Sequence, residues 1–206
     1  MKKNTLITCI VLLLSISIVS CKNNPKKEIK ETPQISYTLD QSTSKVGWTG
    51  YKTTDKVPVK GEFKKITISN PKSSGNASKL LDGVEFSIPV SSIFSNNEDR
   101  DGKLQKFFFG IMDQTELLSG KITLKNESTG SLTVKMNAMS KSLPINYTFK
   151  DSKFTFSGTM NLDEWGGQAA IASINKVCKN LHKGADGISK TWNEVEINAS
   201  ISVIKN

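Results

Sequence analysis

"GVEFSIPV" (residues 83–90) alternates without a break: Val84, Phe86, Ile88 and Val90 fall on one side of an extended chain, Glu85, Ser87 and Pro89 on the other. Strand side chains point to opposite faces in turn, so a period of two marks a strand with one face buried. The alternation recurs at Val46 and Trp48; Ile122 and Leu124; Leu132, Val134 and Met136; Ile145, Tyr147 and Phe149; Phe154 and Phe156; and Val195, Ile197, Ala199 and Ile201. Turn signals separate these runs: "KNESTGSL" around Gly130, "SKSLP" around Pro144 and "FKDSKF" around Asp151 and Ser152. Sequential antiparallel pairing is the simplest topology. Left open, such a series would keep its apolar face wet and two edges unpaired, so it must roll into a barrel or split into a sandwich. Only the barrel offers a lined interior. The expectation from the pattern is a mainly β fold of seven or more antiparallel strands.

Two segments break the period. In "NNEDRDGKLQKFFFG" (96–110), Asn97 or Asp99 can cap a helix, and Leu104, Phe107, Phe108 and Ile111 recur at helical spacing, which predicts a helix over 99–111. Glu98, Asp99, Arg100 and Asp101 then form a solvated ring at its entry, with Arg100 able to bridge carboxylates. In "GGQAAIASINKVCKNLHKG" (166–184), Ile171, Ile174, Cys178 and Leu181 mark one face and Gly184 suits a C-terminal cap. Both read as short helices covering openings of the barrel.

The N-terminus has a different character. "MKKNTLITCIVLLLSISIVS" has two lysines, an apolar run from Leu6 to Val19 and a small residue before Cys21, the layout of a secretory signal over residues 1–20. The run of about 14 residues is shorter than the roughly 20 that a spanning helix needs. "SIVSC" is similar to the bacterial lipobox, which implies acylation of Cys21, by chains such as palmitate, and cleavage before it. Each buried methylene is worth about 0.8 kcal/mol, so several acyl chains hold a protein firmly on a membrane. Residues 21–36 are polar and broken by Pro25 and Pro33, too poor in apolar surface to order themselves, and read as a tether to a domain at 37–206. An exported bacterial envelope protein follows, anchored in the outer membrane and facing the periplasm or the surface.

The formal charge is +9; loss of Lys2 and Lys3 leaves 26 basic residues against 19 acidic, a net of +7. The lysines are spread out and Arg100 is the one arginine, a pattern of solvated surface with no nucleic-acid patch. With Cys9 lost and Cys21 acylated, Cys178 has no disulfide partner, so stability rests on packing. Cys178 and the lone His182 cannot fill a four-ligand metal site. His182, at a lysine-rich helix end, reads as a solvated residue without a role, and no nucleophile and base set marks an enzyme. No cofactor is expected.

Three motifs carry a family resemblance: "YTLDQSTSKVGW" (Tyr37, Asp40, Ser44, Trp48), "VKGEF" (Gly61, Phe63) and "RDGKLQKFFF". From Tyr37 to the C-terminus the chain resembles the YceI-like family of exported proteins, which implies an extended, lipocalin-like antiparallel β-barrel of about eight strands that binds isoprenoid lipids. Family members commonly carry a histidine in the first strand and a late Arg-x-Asp-aromatic-Gly run. Here "GYKTTDK" and "NLDEWGG" stand in those places, the second keeping Asp163, Trp165 and Gly166 without the arginine. The expected function is to hold an isoprenoid or other long-chain lipid in the barrel. The expected lining residues are Trp48, Phe86, Ile88, Phe107, Phe108, Val134, Met136, Ile145, Tyr147, Phe154, Phe156 and Ile197. The alternatives are a solid, ligand-free envelope barrel with a structural or stress role and, more weakly, an enzyme acting on lipid. A homodimer is compatible with the sequence.

Overall fold

Alternation becomes pairing wherever a run meets a partner with the same parity. The computed structural model describes residues 35–206; the signal segment 1–20, Cys21 and the tether up to residue 34 lie outside the described residues. Eight strands have five or more residues: β1 (Tyr37–Lys52), β2 (Val57–Phe63), β5 (Glu85–Pro89), β7 (Leu117–Leu124), β8 (Thr129–Met136), β9 (Met139–Lys150), β10 (Lys153–Asn161) and β11 (Thr191–Lys205). Three two-residue strands complete the set: β3 (Thr67–Ile68), β4 (Ser73–Ser74) and β6 (Ile93–Phe94). All pairs are antiparallel, in the order β3-β5-β7-β8-β9-β10-β11-β1-β2-β6, with β4 on the start of β1. The strands and the core lie within Gln34–Asn206, a compact unit of its own.

The run from β2 into β3 lies antiparallel to the run from β5 into β6, and the two short pairings β2–β6 and β3–β5 close the curled sheet. Lys64–Ile66 join β2 to β3, and a 3-10 turn, Val90–Ser92, joins β5 to β6. The two links meet where Lys64 N–H donates to Ser92 O at 2.9 Å. The closing ladder is interrupted here: between Phe63↔Ile93 and Thr67↔Ser87, residues 64–66 on one run stand against 88–92 on the other.

Two hairpins use positive backbone angles at both turn residues, which match the right-handed twist of the strands. One is Asp151–Ser152 (φ +51° and +55°), as the sequence signals. The other is Asn137–Ala138 (φ +52° and +55°), so the turn expected at "SKSLP" is displaced, and Pro144 lies inside β9. Proline is tolerated there because the β9–β10 ladder ends at Asn146↔Ser157, so Pro144 owes β10 no N–H.

Both helices cover the same end of the barrel, where β1 ends and β11 begins. Helix α1 (Glu98–Phe107) is capped by Asn97, whose side chain accepts from Arg100 N–H at 2.9 Å. It stops short of residue 111, and a 3-10 turn, Phe109–Ile111, follows. That break rotates the apolar face: Phe108 and Phe109 are buried edge to face at 4.9 Å, and Ile111, expected inside, is exposed. The charged entry is also different. Asp101 accepts from Ser95 N–H and Oγ, Asp99 pairs with Lys103, and among the described residues Arg100 bridges no carboxylate.

Helix α2 (Gln168–Val177) buries Ile174, with Cys178 at its C-cap. The helix is too short to carry Leu181 inward or to end on Gly184; Leu181 is exposed. No described helix is long and apolar enough to cross a membrane. The opposite end is a solid floor. Leu80, Leu81 and Phe154 are almost fully buried, Phe149 and Tyr147 rings flank Phe154 at 4.6 and 6.3 Å, and Tyr147 Oη donates to Asn126 O.

Candidate functional site

Between floor and helices the barrel encloses an apolar cavity of about 250 Å³. Its walls stay apart because two large rings lie flat against glycines on the next strand. Trp48 pairs with Gly61, where an added β-carbon would meet the indole Cζ2 at 2.3 Å. Phe86 pairs with Gly120, where it would meet the phenyl Cζ at 2.6 Å. A larger residue at 61 would press the indole toward the lumen, and one at 120 would meet the Thr133 carbonyl oxygen, at 2.0 Å, as well as the Phe86 ring. Gly50 faces the same space with nothing within 4 Å of where its β-carbon would be. Two wall atoms, Trp48 Nε1 and Ser44 Oγ, are buried without a hydrogen-bond partner among the described residues. They leave polar points free on an otherwise apolar surface.

The end under the helices is cationic. Lys52 from β1, Arg100 and Lys103 from α1, and His182 from the segment before β11 all border the cavity, and among the described residues no aspartate or glutamate does. Lys52 Nζ donates to Leu181 O at 3.1 Å, and Lys103 Nζ meets Asp99 Oδ2 at 2.5 Å. His182 Nδ1 lies 2.7 Å from Thr191 Oγ1, which donates to Asn175 Oδ1 at 3.0 Å. With its proton committed to Asn175, the threonine hydroxyl accepts from His182 Nδ1–H, so the neutral ring keeps its lone pair on Nε2. Burial, then Lys52, holds the His182 pKa below its ordinary value. Burial also pushes the neighbouring Cys178 thiol up, which keeps it protonated and unreactive.

Of the expected lining residues, Trp48, Phe86, Ile88, Phe108, Val134, Met136, Phe156 and Ile197 border the cavity. Phe107, Ile145, Tyr147 and Phe154 do not. Ile145 packs over Gly130 and Gly158, filling the space those glycines leave; Tyr147 and Phe154 belong to the floor; Phe107 is half-buried under Lys106. Alternation assigns a residue to the inner face without saying which part of that face is hollow. Phe109, adjacent to the expected pair, does border the cavity. The cationic end is the part that sequence reading missed. His182 is half-buried against Thr191 and not solvated, and the signal for Arg100 and Lys103 was their i, i+3 spacing with Leu104 beside them.

A single antiparallel barrel, floored at one end, lidded by helices at the other and hollow between, defines a calyx-type protein. The chain belongs to the YceI-like family, whose domain model matches residues 37–203. Among solved structures, a polyisoprenoid-binding domain from Saccharophagus degradans is similar in fold, with TM-score 0.56 and 11% identity over 82% of this chain and 98% of that one. Burkholderia cenocepacia BcnA is also similar, with TM-score 0.51 and 16% identity over 81% and 99% of the two chains. A search of curated proteins finds no match.

Proposed function

We propose that this protein binds a long-chain isoprenoid or similar lipid, tail in the cavity and polar end against Lys52, Arg100, Lys103 and His182. The observation that carries this is the interior held open by the Trp48–Gly61 and Phe86–Gly120 pairs. A space of about 250 Å³ lies below the roughly 300–1,000 Å³ of drug-sized pockets, which suits a slender tail. Burying a tail gains about 25 cal/mol per Å² without regard to direction, so affinity tracks tail length. The Saccharophagus degradans domain, a polyisoprenoid-binding domain, supports the same class of ligand. The reading extends to the N-terminus: export, acylation of Cys21 and a place in the bacterial envelope, with the tether between membrane and barrel. We assign no reaction to the site.

The test is mass spectrometry of an organic extract from natively purified protein, with titration of a fluorescent polyprenyl analogue. A long-chain lipid in the extract and saturable binding are expected. An empty extract and no binding by folded protein would leave the reading of a ligand-free envelope protein with a structural role. Cys21→Ser is expected to abolish lipid labelling and lipoprotein-type cleavage; labelling that persists removes the anchor.

A further inference from the structure

The segment between α2 and β11 is held by its own bonds. Lys190 N–H donates to His182 O at 3.1 Å, Gly184 N–H donates to Ile188 O at 2.9 Å, and Lys183 bridges Ser189 as in a short hairpin. Despite this order it turns Leu181 and Ile188 outward, 59% and 56% exposed, beside Val177 at the end of α2, 39% exposed. Single exposed aliphatics are ordinary on a protein surface. Three between residues 177 and 188, at the edge of an apolar cavity, form a pattern of the kind that marks interaction sites.

Lysines interleave with them: Lys176, Lys179, Lys183 and Lys190 stand against one acid, Asp186, a net of +3 over residues 176–190. That acid is already engaged, accepting from Thr54 Oγ1 at 2.7 Å and from Ile188 N–H at 2.9 Å. Beside the segment, Lys190 Nζ sits 3.5 Å from the centre of the half-buried Trp192 ring. Aliphatic tips, a tryptophan and lysines whose stems are apolar and whose heads reach for anions are the composition of interfacial membrane surfaces.

We propose that this rim docks the barrel onto a bilayer surface bearing anionic headgroups, with Leu181 and Ile188 entering the interfacial layer and the four lysines lying among the phosphates. The partner's sign follows from the charge of the segment; its apolar depth follows from the exposed aliphatics. On the inner side of the same segment, Cys178 and His182 border the cavity. The docked edge is therefore also the edge of the cavity, and a lipid crossing it does not pass through bulk water. The inference does not depend on which ligand the cavity holds.

Flotation with vesicles tests it, using Gln34–Asn206, which contains the strands and core described above, so that the N-terminal segment contributes nothing. The domain is expected to float with phosphatidylcholine vesicles containing phosphatidylglycerol and far less with phosphatidylcholine alone. Leu181→Ser with Ile188→Ser, and separately Lys179→Gln with Lys183→Gln, are each expected to cut partition about tenfold or more. Thermal melts should be unchanged, because all four side chains are exposed. The proposal is overturned by a wild type that stays soluble with both vesicles, or by variants that partition like it. It is equally overturned by a wild-type dimer that the serine variants split, which would assign the patch to a second copy. Binding of a polyprenyl analogue, read separately, reports on the cavity and not on the rim.

Discussion

The indole of Trp48 occupies the place of a side chain that Gly61, its cross-strand partner, does not have. The pairing makes a sharp distinction between two glycines on adjoining strands. Gly61→Ala places a methyl group 2.3 Å from the ring and is expected to destabilise the fold by about 1–3 kcal/mol as Trp48 is forced toward the lumen. At Gly47 the nearest atom is 3.5 Å away, so Gly47→Ala should change stability by less than about 1 kcal/mol. Urea unfolding of the two variants checks this; similar values would mean that the indole has other room.

Gly50 is the position where a side chain can enter the cavity without a collision. Gly50→Leu should keep the melting temperature, or raise it slightly as a strand glycine is lost, and should abolish binding of a long-chain analogue by filling the space. Binding that survives in a folded Gly50→Leu protein would place the ligand elsewhere.

Arg100 borders the cavity with no carboxylate paired to it among the described residues. If the lipid's polar end rests there, Arg100→Gln should weaken a polyprenyl phosphate about tenfold, the scale of one charge-assisted hydrogen bond, and leave the matching polyprenol unaffected. Equal losses for both ligands would instead indicate damage to the wall.

His182 carries a pH signature whose sign is fixed by its environment. Its folded-state pKa is depressed by burial and by Lys52, so as pH falls the unfolded chain takes up the proton first. Stability is therefore fully present above the unfolded value of about 6.5 and declines as pH drops toward the folded value. The melting temperature should fall between about pH 7 and pH 5, and His182→Gln should flatten that slope. The same slope in both proteins would assign the titration to other groups.

The strands were legible because alternation is a local property: Val134 and Met136, or Phe154 and Phe156, declare their face without reference to a partner. Turn position was less so. Pro144 carries a turn signal that is overridden because the β9–β10 ladder has already parted there. The helix breaks at Phe108 and Val177 depend on what each helix packs against, which spacing does not contain. Whether the barrel is hollow was out of reach for a different reason. It depends on Trp48 meeting Gly61 and Phe86 meeting Gly120, and those encounters exist only once the register is set. The cationic end is less legible still, since Lys52, Arg100 and His182 come from distant parts of the chain.

The ladder that closes the barrel is in two pieces, β2–β6 and β3–β5, put out of step by the turn Val90–Ser92. A wall closed by a continuous ladder has a circumference fixed by its hydrogen bonds, and widening it means breaking a whole row of them together. Here Glu62↔Phe94, Phe63↔Ile93 and the Lys64–Ser92 bond hold one piece, Thr67↔Ser87 and Ile68↔Phe86 hold the other, and the register shifts between them. The wall should therefore yield to a bulkier guest first at this break in register, before the longer ladders β7–β8, β8–β9, β10–β11 and β11–β1.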